Sequence, residues 1–233
     1  RELGIGPGQC RPKELWPETW TGGTLFPYSS KKIARAINAF SNRLPLVILA
    51  NLSGFDGSPE SLRNCQLEFG AEIGRAVVNF QGPIVFVVIA RYHGGAYVVF
   101  SKTLNPFLKV VALKGTFASV LGGAPAAAVV FPRLVKKETY SDLRIINAQE
   151  QLEKDEDFTQ KDFEELVQKV YSEKQTEIGQ RFDNIHTVER AKEVGSIDAI
   201  IEANELRPYL IECLRQGIKE YLASIEKNSQ KME

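Results

Sequence analysis

Eight consecutive residues, Pro83-Ile84-Val85-Phe86-Val87-Val88-Ile89-Ala90, carry no polar side chain, and most are β-branched. Such a run, opened by Gly82-Pro83, reads as a strand buried on both faces, and this demands packed layers above and below it. It leads into Arg91-Tyr92-His93-Gly94-Gly95-Ala96-Tyr97, and Tyr97-Val98-Val99-Phe100 can begin a helix. Bare backbone N–H groups at a strand-to-helix junction form a nest for an oxyanion, helped by the helix dipole. A second apolar run over 44–50 ends in Asn51-Leu52-Ser53-Gly54-Phe55-Asp56-Gly57-Ser58. Two glycine-bearing loops that each follow a buried strand should emerge at one sheet edge, where α/β sites lie.

The remaining segments fit that frame. Apolar residues at 33, 36, 37 and 40 predict an amphipathic helix with Ser30 as N-cap. Residues 59–79 read as one helix, 110–113 as a third strand, and 115–131 as a small-residue segment that suits a helix end packed tightly on its neighbours. Strands alternating with helices imply an α/β layered domain with largely parallel strands. Residues 1–30, with Trp16, Trp20 and Phe26, read as an irregular arm, and 31–233 as the folded body. Within that body a charged, amphipathic helical segment at about 148–181 is expected to project, and a last amphipathic helix closes the chain.

Composition removes several classes of function. Twenty-nine basic residues balance 29 acidic ones, so a non-specific electrostatic grip on nucleic acid is not indicated. No apolar stretch approaches the ~20 residues of a membrane span. Cys10, Cys65 and Cys213 lack metal-ligand or disulfide-framework spacing and read as reduced bystanders, which suits the cytoplasm or the mitochondrial matrix. With only His93 and His186, a histidine metal site is not expected. The chain begins at Arg1 without a signal-like segment, and reads as a fragment of something longer.

The side chains offer little acid–base chemistry. His93 reads first as a locally bonded loop histidine, and His186 as a helix-start residue beside Thr187 or Asp183. Asp56 in its glycine-rich turn suits a bond to its own loop. Lys102 and Arg91 flank the nest as candidate anion contacts, and Ser58, Ser101 and Ser119 stand outside any G-x-S-x-G setting.

The order strand, Gly54-Phe55-Asp56-Gly57, helix with Phe69-Gly70-Ala71, strand from Pro83, then Tyr92-His93-Gly94-Gly95-Ala96-Tyr97 resembles the biotin-dependent acyl-CoA carboxylase carboxyltransferases. It is similar to the C-terminal, biotin-side half of their two-part unit. Pro45-Leu46-Val47-Ile48-Leu49-Ala50-Asn51 with Ser53-Gly54-Phe55 resembles the acetyl-CoA carboxylase type, and Gly195-Ser196-Ile197-Asp198-Ala199-Ile200-Ile201 with Arg207 resembles the closing segment. The resemblance spans roughly 30–135 and 185–222. It implies a crotonase-like spiral of ββα units.

It also implies a reaction: the carboxyl group passes from carboxybiotin to the α-carbon of an acyl-CoA, with the substrates bringing their own base. The N–H groups of Gly95 and Ala96 would then hold the biotin ureido oxygen. Gly54, Phe55, Gly57, Gly94 and Tyr97 would shape the biotin site, and Val98, where some relatives carry Asp, bears on acyl choice. Ser53 stands where related eukaryotic enzymes carry Arg. The implied partners are a CoA-binding N-terminal half, a separate biotin carboxyl carrier, a biotin carboxylase and the acyl-CoA, within a dimer or larger assembly. Two alternatives stay open. One is a crotonase-type hydratase or hydrolase using Glu60, Glu68 or Glu72, and the other a non-catalytic scaffold that kept the fold.

Overall fold

The computed structural model describes residues 22–154 and 158–230. In chain order these form β1 (Thr24–Leu25), α1 (Pro27–Phe40), β2 (Leu46–Leu52), β3 (Gly54–Phe55), α2 (Pro59–Arg63), α3 (Gln66–Asn79), β4 (Ile84–His93) and α4 (Gly95–Val99). There follow β5 (Leu108–Leu113), β6 (Phe117–Ser119), α5 (Gly123–Pro125), α6 (Pro132–Tyr140), α7 (Leu143–Lys154), α8 (Gln160–Ile185), α9 (Val188–Glu193), β7 (Ala199–Ile201) and α10 (Leu206–Gln230). They divide into two compact units, one built from the described residues of 22–120 and 187–230 and the other from those of 121–186.

The first unit is built on a parallel sheet in the order β2-β4-β5-β7, with a two-stranded β1-β3 ribbon beside it. Strand β4 is the spine: residues 84–88 pair with β5, and Arg91, Tyr92 and His93 pair with β6. Alternation along β4 explains its unbroken apolar character. Ile84, Phe86 and Val88 join the core with Ile33, Ile37, Ile73 and Val77 of α1 and α3. Val85 and Val87 face the other way, into a cluster with Cys213 and the half-buried Tyr209, Leu210 and Leu214 of α10. Each face is thus covered by helices, and a fully buried Phe86 contributes up to about 3 kcal/mol of apolar burial.

The local signals differ from expectation in four places. Helix α1 starts at Pro27, because proline suits the first helical turn and Ser29 Oγ accepts from the Phe26 N–H at 2.8 Å. Ser30 is therefore inside the helix, buried, accepting from Gln66 Nε2, and the irregular arm cannot extend to residue 30. Trp16 and Trp20 lie outside the described residues. The helix expected over 59–79 is two helices, since Cys65 adopts a left-handed φ of 64° between α2 and α3. Strand β4 continues to His93, three residues past the apolar run, because β6 supplies it with a second partner. That partner strand, Phe117–Ser119, sits inside the segment read as a tight helix end.

The second unit contains the charged segment, which is helical and forms the end of α7 and most of α8. Its small core gathers Ala127, Val135 and Ile178 with Phe131 and Tyr171. Gly123 and Gly179 let two backbones meet: a Cβ on Gly123 would lie 2.1 Å from the Gly179 carbonyl oxygen. His186 is the C-cap of α8, stacked on Phe182 at 4.0 Å, while Thr187 caps α9 by accepting from the Arg190 N–H. The histidine role is structural, as expected, but at a helix end and not a helix start.

Candidate functional site

Strands β2 and β4 are parallel neighbours, with Leu46 opposite Ile84 and Ala50 opposite Val88. Their following loops therefore leave from the same sheet edge, and the two meet backbone to backbone. Gly54 has φ +123°, and Gly94 has φ +62° with ψ −141°, a conformation open in practice only to glycine. A Cβ on Gly94 would stand 3.1 Å from the Gly54 Cα, tighter than ordinary contacts. These glycines are needed for the crossing itself.

Phe55 fills the space beside it. A Cβ on Gly95 would lie 2.2 Å from Phe55 Cδ2, and one on Gly70 would lie 3.2 Å from the same ring. Gly70 of α3 and Gly95 of α4 thus leave a slot for one half-buried aromatic ring. Gly57 has open space around its Cβ position, so packing does not demand glycine there.

The turn after the crossing is braced from several sides. The Gly94 N–H donates to the Val120 carbonyl at 3.0 Å, and the Tyr97 N–H to the Gly94 carbonyl at 3.1 Å. Tyr92 Oη donates to the Tyr97 carbonyl at 3.2 Å, from a ring that packs 4.9 Å from Tyr97 and 4.8 Å from Phe86. Burial, with the neighbouring Tyr97, holds the Tyr92 phenol far above its ordinary range, so it stays a neutral donor. His93 is buried, its Nδ1 3.3 Å from the Ser119 carbonyl and 3.1 Å from Ser119 Oγ. Both contacts tie the imidazole to the Ser119 strand, so the ring serves as a strut. It is a strand-end residue bonded across the sheet, not a loop histidine.

Gly95 and Ala96 head α4, where the first N–H groups have no intrahelical acceptor. Val98 of α4 is 59% exposed. Asp56 accepts from Ser58 Oγ. Lys102 pairs with Asp198 at 2.6 Å, and Arg91 is exposed. Tyr92, Ser119 and Gly70 are the site residues that sequence reasoning missed. The Tyr92-to-Tyr97 spacing was visible, but the Ser119 contact spans 26 residues and left no local mark. Among the described residues no three His, Cys, Asp or Glu side chains are grouped to hold a metal, and no helix is long and apolar enough to cross a membrane.

The fold and the loops together are a parallel α/β sheet with two glycine loops crossing backbone to backbone at one edge. The sequence profile of the carboxyl transferase domain matches residues 15–232, and the chain belongs to that family. Among curated proteins it is 37% identical over 89 residues to the mitochondrial acetyl-CoA carboxylase of Saccharomyces cerevisiae, and 38% identical over 91 residues to the acetyl-CoA carboxylase of Dictyostelium discoideum. Those stretches cover 36% and 37% of this chain and 4% of each relative, so the chain spans only a small part of their length. Among solved structures it superposes on the P. aeruginosa geranyl-CoA carboxylase beta subunit with TM-score 0.60 at 21% identity, covering 84% of this chain and 34% of that one. The transcarboxylase 12S hexamer with methylmalonyl-coenzyme A bound gives TM-score 0.59 at 20% identity, covering 83% and 31%. The crotonase-like α/β fold is common to all three.

Proposed function

We propose that this chain is the biotin-side half of an acetyl-CoA-type carboxyltransferase, passing a carboxyl group from carboxybiotin to the α-carbon of an acyl-CoA. The observation that carries this reading is the Gly54–Gly94 crossing, which leaves the Gly95 and Ala96 N–H groups at a sheet edge where Asp56 and His93 are each hydrogen-bonded within the protein. Such an edge suits a reaction whose partner brings its own base, because the protein then needs only to stabilise oxyanions. Biotin, on a separate carrier, would supply both the carboxyl group and that base. Gly95 and Ala96 would donate to its ureido oxygen, with Gly54, Phe55, Gly57, Gly94 and Tyr97 forming the wall and Val98 facing the acyl group. Kinship with acetyl-CoA carboxylases over the 89–91 matched residues supports the acetyl type. A CoA-binding half, a biotin carboxyl carrier and a biotin carboxylase complete the assembly, in the cytoplasm or the mitochondrial matrix.

The test separates the N–H from the side-chain space. In a Phe55→Ala background, Gly95→Ala keeps the N–H, whereas Gly95→Pro removes it at the helix position where proline is best tolerated. Assayed with a CoA-binding half and carboxybiotin, the proline variant should be slower in kcat by about 10²–10³-fold, the usual effect of one lost oxyanion donor. Equal rates in two equally folded variants would sink the assignment.

A further inference from the structure

Helix α4 carries the two proposed donors, yet it spans 5 residues, far too few to be stable as a helix by itself. Its geometry therefore depends on contacts from outside. Before its start the Gly94 N–H is held by the Val120 carbonyl, and past its end Phe100 stacks 4.9 Å from Phe86 of β4. One further bond reaches its middle. The Ser101 N–H, which a continuing α-helix would give to the Tyr97 carbonyl, goes to the Val98 carbonyl at 3.1 Å. The Tyr97 carbonyl accepts instead from Tyr92 Oη at 3.2 Å. Tyr97 is thus held at both ends of its backbone, since its own N–H donates to Gly94.

Tyr92 is 2% exposed, and its ring lies in an aromatic cluster with Phe86 and Tyr97. A phenylalanine would meet the packing need there. The added hydroxyl costs free energy in a buried place unless it is bonded, and its partner here is the carbonyl in the middle of α4. We propose that Tyr92 is a positioning residue for carboxyl transfer. Its hydroxyl, acting through the Tyr97 carbonyl, fixes the tilt of α4 and so aims the Gly95 and Ala96 N–H groups. The role rests on the proposed use of those groups as oxyanion donors. Such donors work about 2.7–3.1 Å from the oxyanion, a narrow window that a short helix anchored only at its ends would not hold. Without the hydroxyl both N–H groups remain but are poorly aimed, so the loss is smaller than that of deleting a donor.

Tyr92→Phe keeps the ring and removes only the hydroxyl. Assayed with a CoA-binding half and carboxybiotin, the variant should lose about ten-fold in kcat, short of the roughly 10²-fold that a misplacement of about 1 Å costs. KM for carboxybiotin should stay within about two-fold, because the aimed donors act chiefly in the transition state. In the chain by itself, ¹⁵N relaxation should show the order parameters of Gly95 and Ala96 falling from about 0.85 toward 0.6. Val87→Ala opens a gap on the opposite face of β4, so it destabilises the sheet without reaching α4, and it should leave kcat and the order parameters at parent values. In an active parent, a Tyr92→Phe variant with unchanged kcat or unchanged order parameters, or a Val87→Ala variant with equal losses, would overturn the positioning role alone. A parent that transfers no carboxyl group would overturn the proposed function, and this role with it.

Discussion

The two glycine loops of the first unit and the helices of the second solve the problem of holding a precise shape with opposite chemistry. Residues 44–58 and 92–101 contain one Asp, one His and no Lys or Arg. Their geometry rests on glycines that let backbones touch, on one aromatic ring and on hydrogen bonds to main-chain carbonyls. The second unit has a small apolar core and is tied instead by charge. Arg181 reaches Glu138 through two bonds of 2.8 and 2.9 Å, and Arg144 binds both Asp142 and Glu173. A backbone site keeps its donors at every physiological pH, whereas a charge-tied helix set depends on ionisation and salt. That independence of pH fits the oxyanion role proposed for the loops.

Both regions nevertheless rely on a glycine at a close approach, and this gives the largest test of the contrast. Gly123→Ala should cost the most stability, about 3 kcal/mol or more, because its Cβ would press on the backbone of Gly179, which cannot turn aside. Hydrogen exchange should show lost protection within 121–186 and little change across 22–120. Gly95→Ala should cost less, about 1–3 kcal/mol, since the obstacle is the Phe55 ring and not backbone. Adding Phe55→Ala should return part of that loss. A double-mutant cycle with coupling below about 0.5 kcal/mol would show that the ring and the glycine do not share the slot.

Much of the first unit was legible because its signals are local. β-Branched runs with glycines after them marked β2, β4 and the two loops, and the meeting of those loops followed from parallel order alone. The losses have a common cause, which is that long-range partners decide them. Strand β6 pairs with β4 across 26 residues, and its own sequence, Phe117-Ala118-Ser119, is too short to show a period. Lys102 looked free beside the nest until Asp198, 96 residues on, claimed it. Cys65 broke a helix whose apolar spacing continued through it. At the site, Gly95 could be read as a bare donor, but its role as the floor for Phe55 depends on α3 folding back to bring Gly70 to the same ring.

The smallest expected effect tests the charged half. Asp142 accepts from the Arg144 guanidinium and N–H and sits 3.5 Å from Lys174, which together hold its carboxyl well below the usual carboxylate range. Glu138 and Glu173 are lowered too, each chiefly by its arginine partner. A carboxylate whose pKa is depressed on folding adds stability that is present above its unfolded value, about 3.9 for Asp and 4.3 for Glu, and fades as pH falls through the folded value. Asp142→Asn should therefore lower the melting of 121–186 slightly at pH 7, and the difference from the parent should shrink as the pH drops below about 4. High salt should shrink it as well, because the partners are within reach of solvent ions. Gly95→Ala should show neither dependence, since steric overlap has no charge to titrate. If both variants changed with pH and salt alike, the division between a backbone-built site and a charge-tied helical unit would fail.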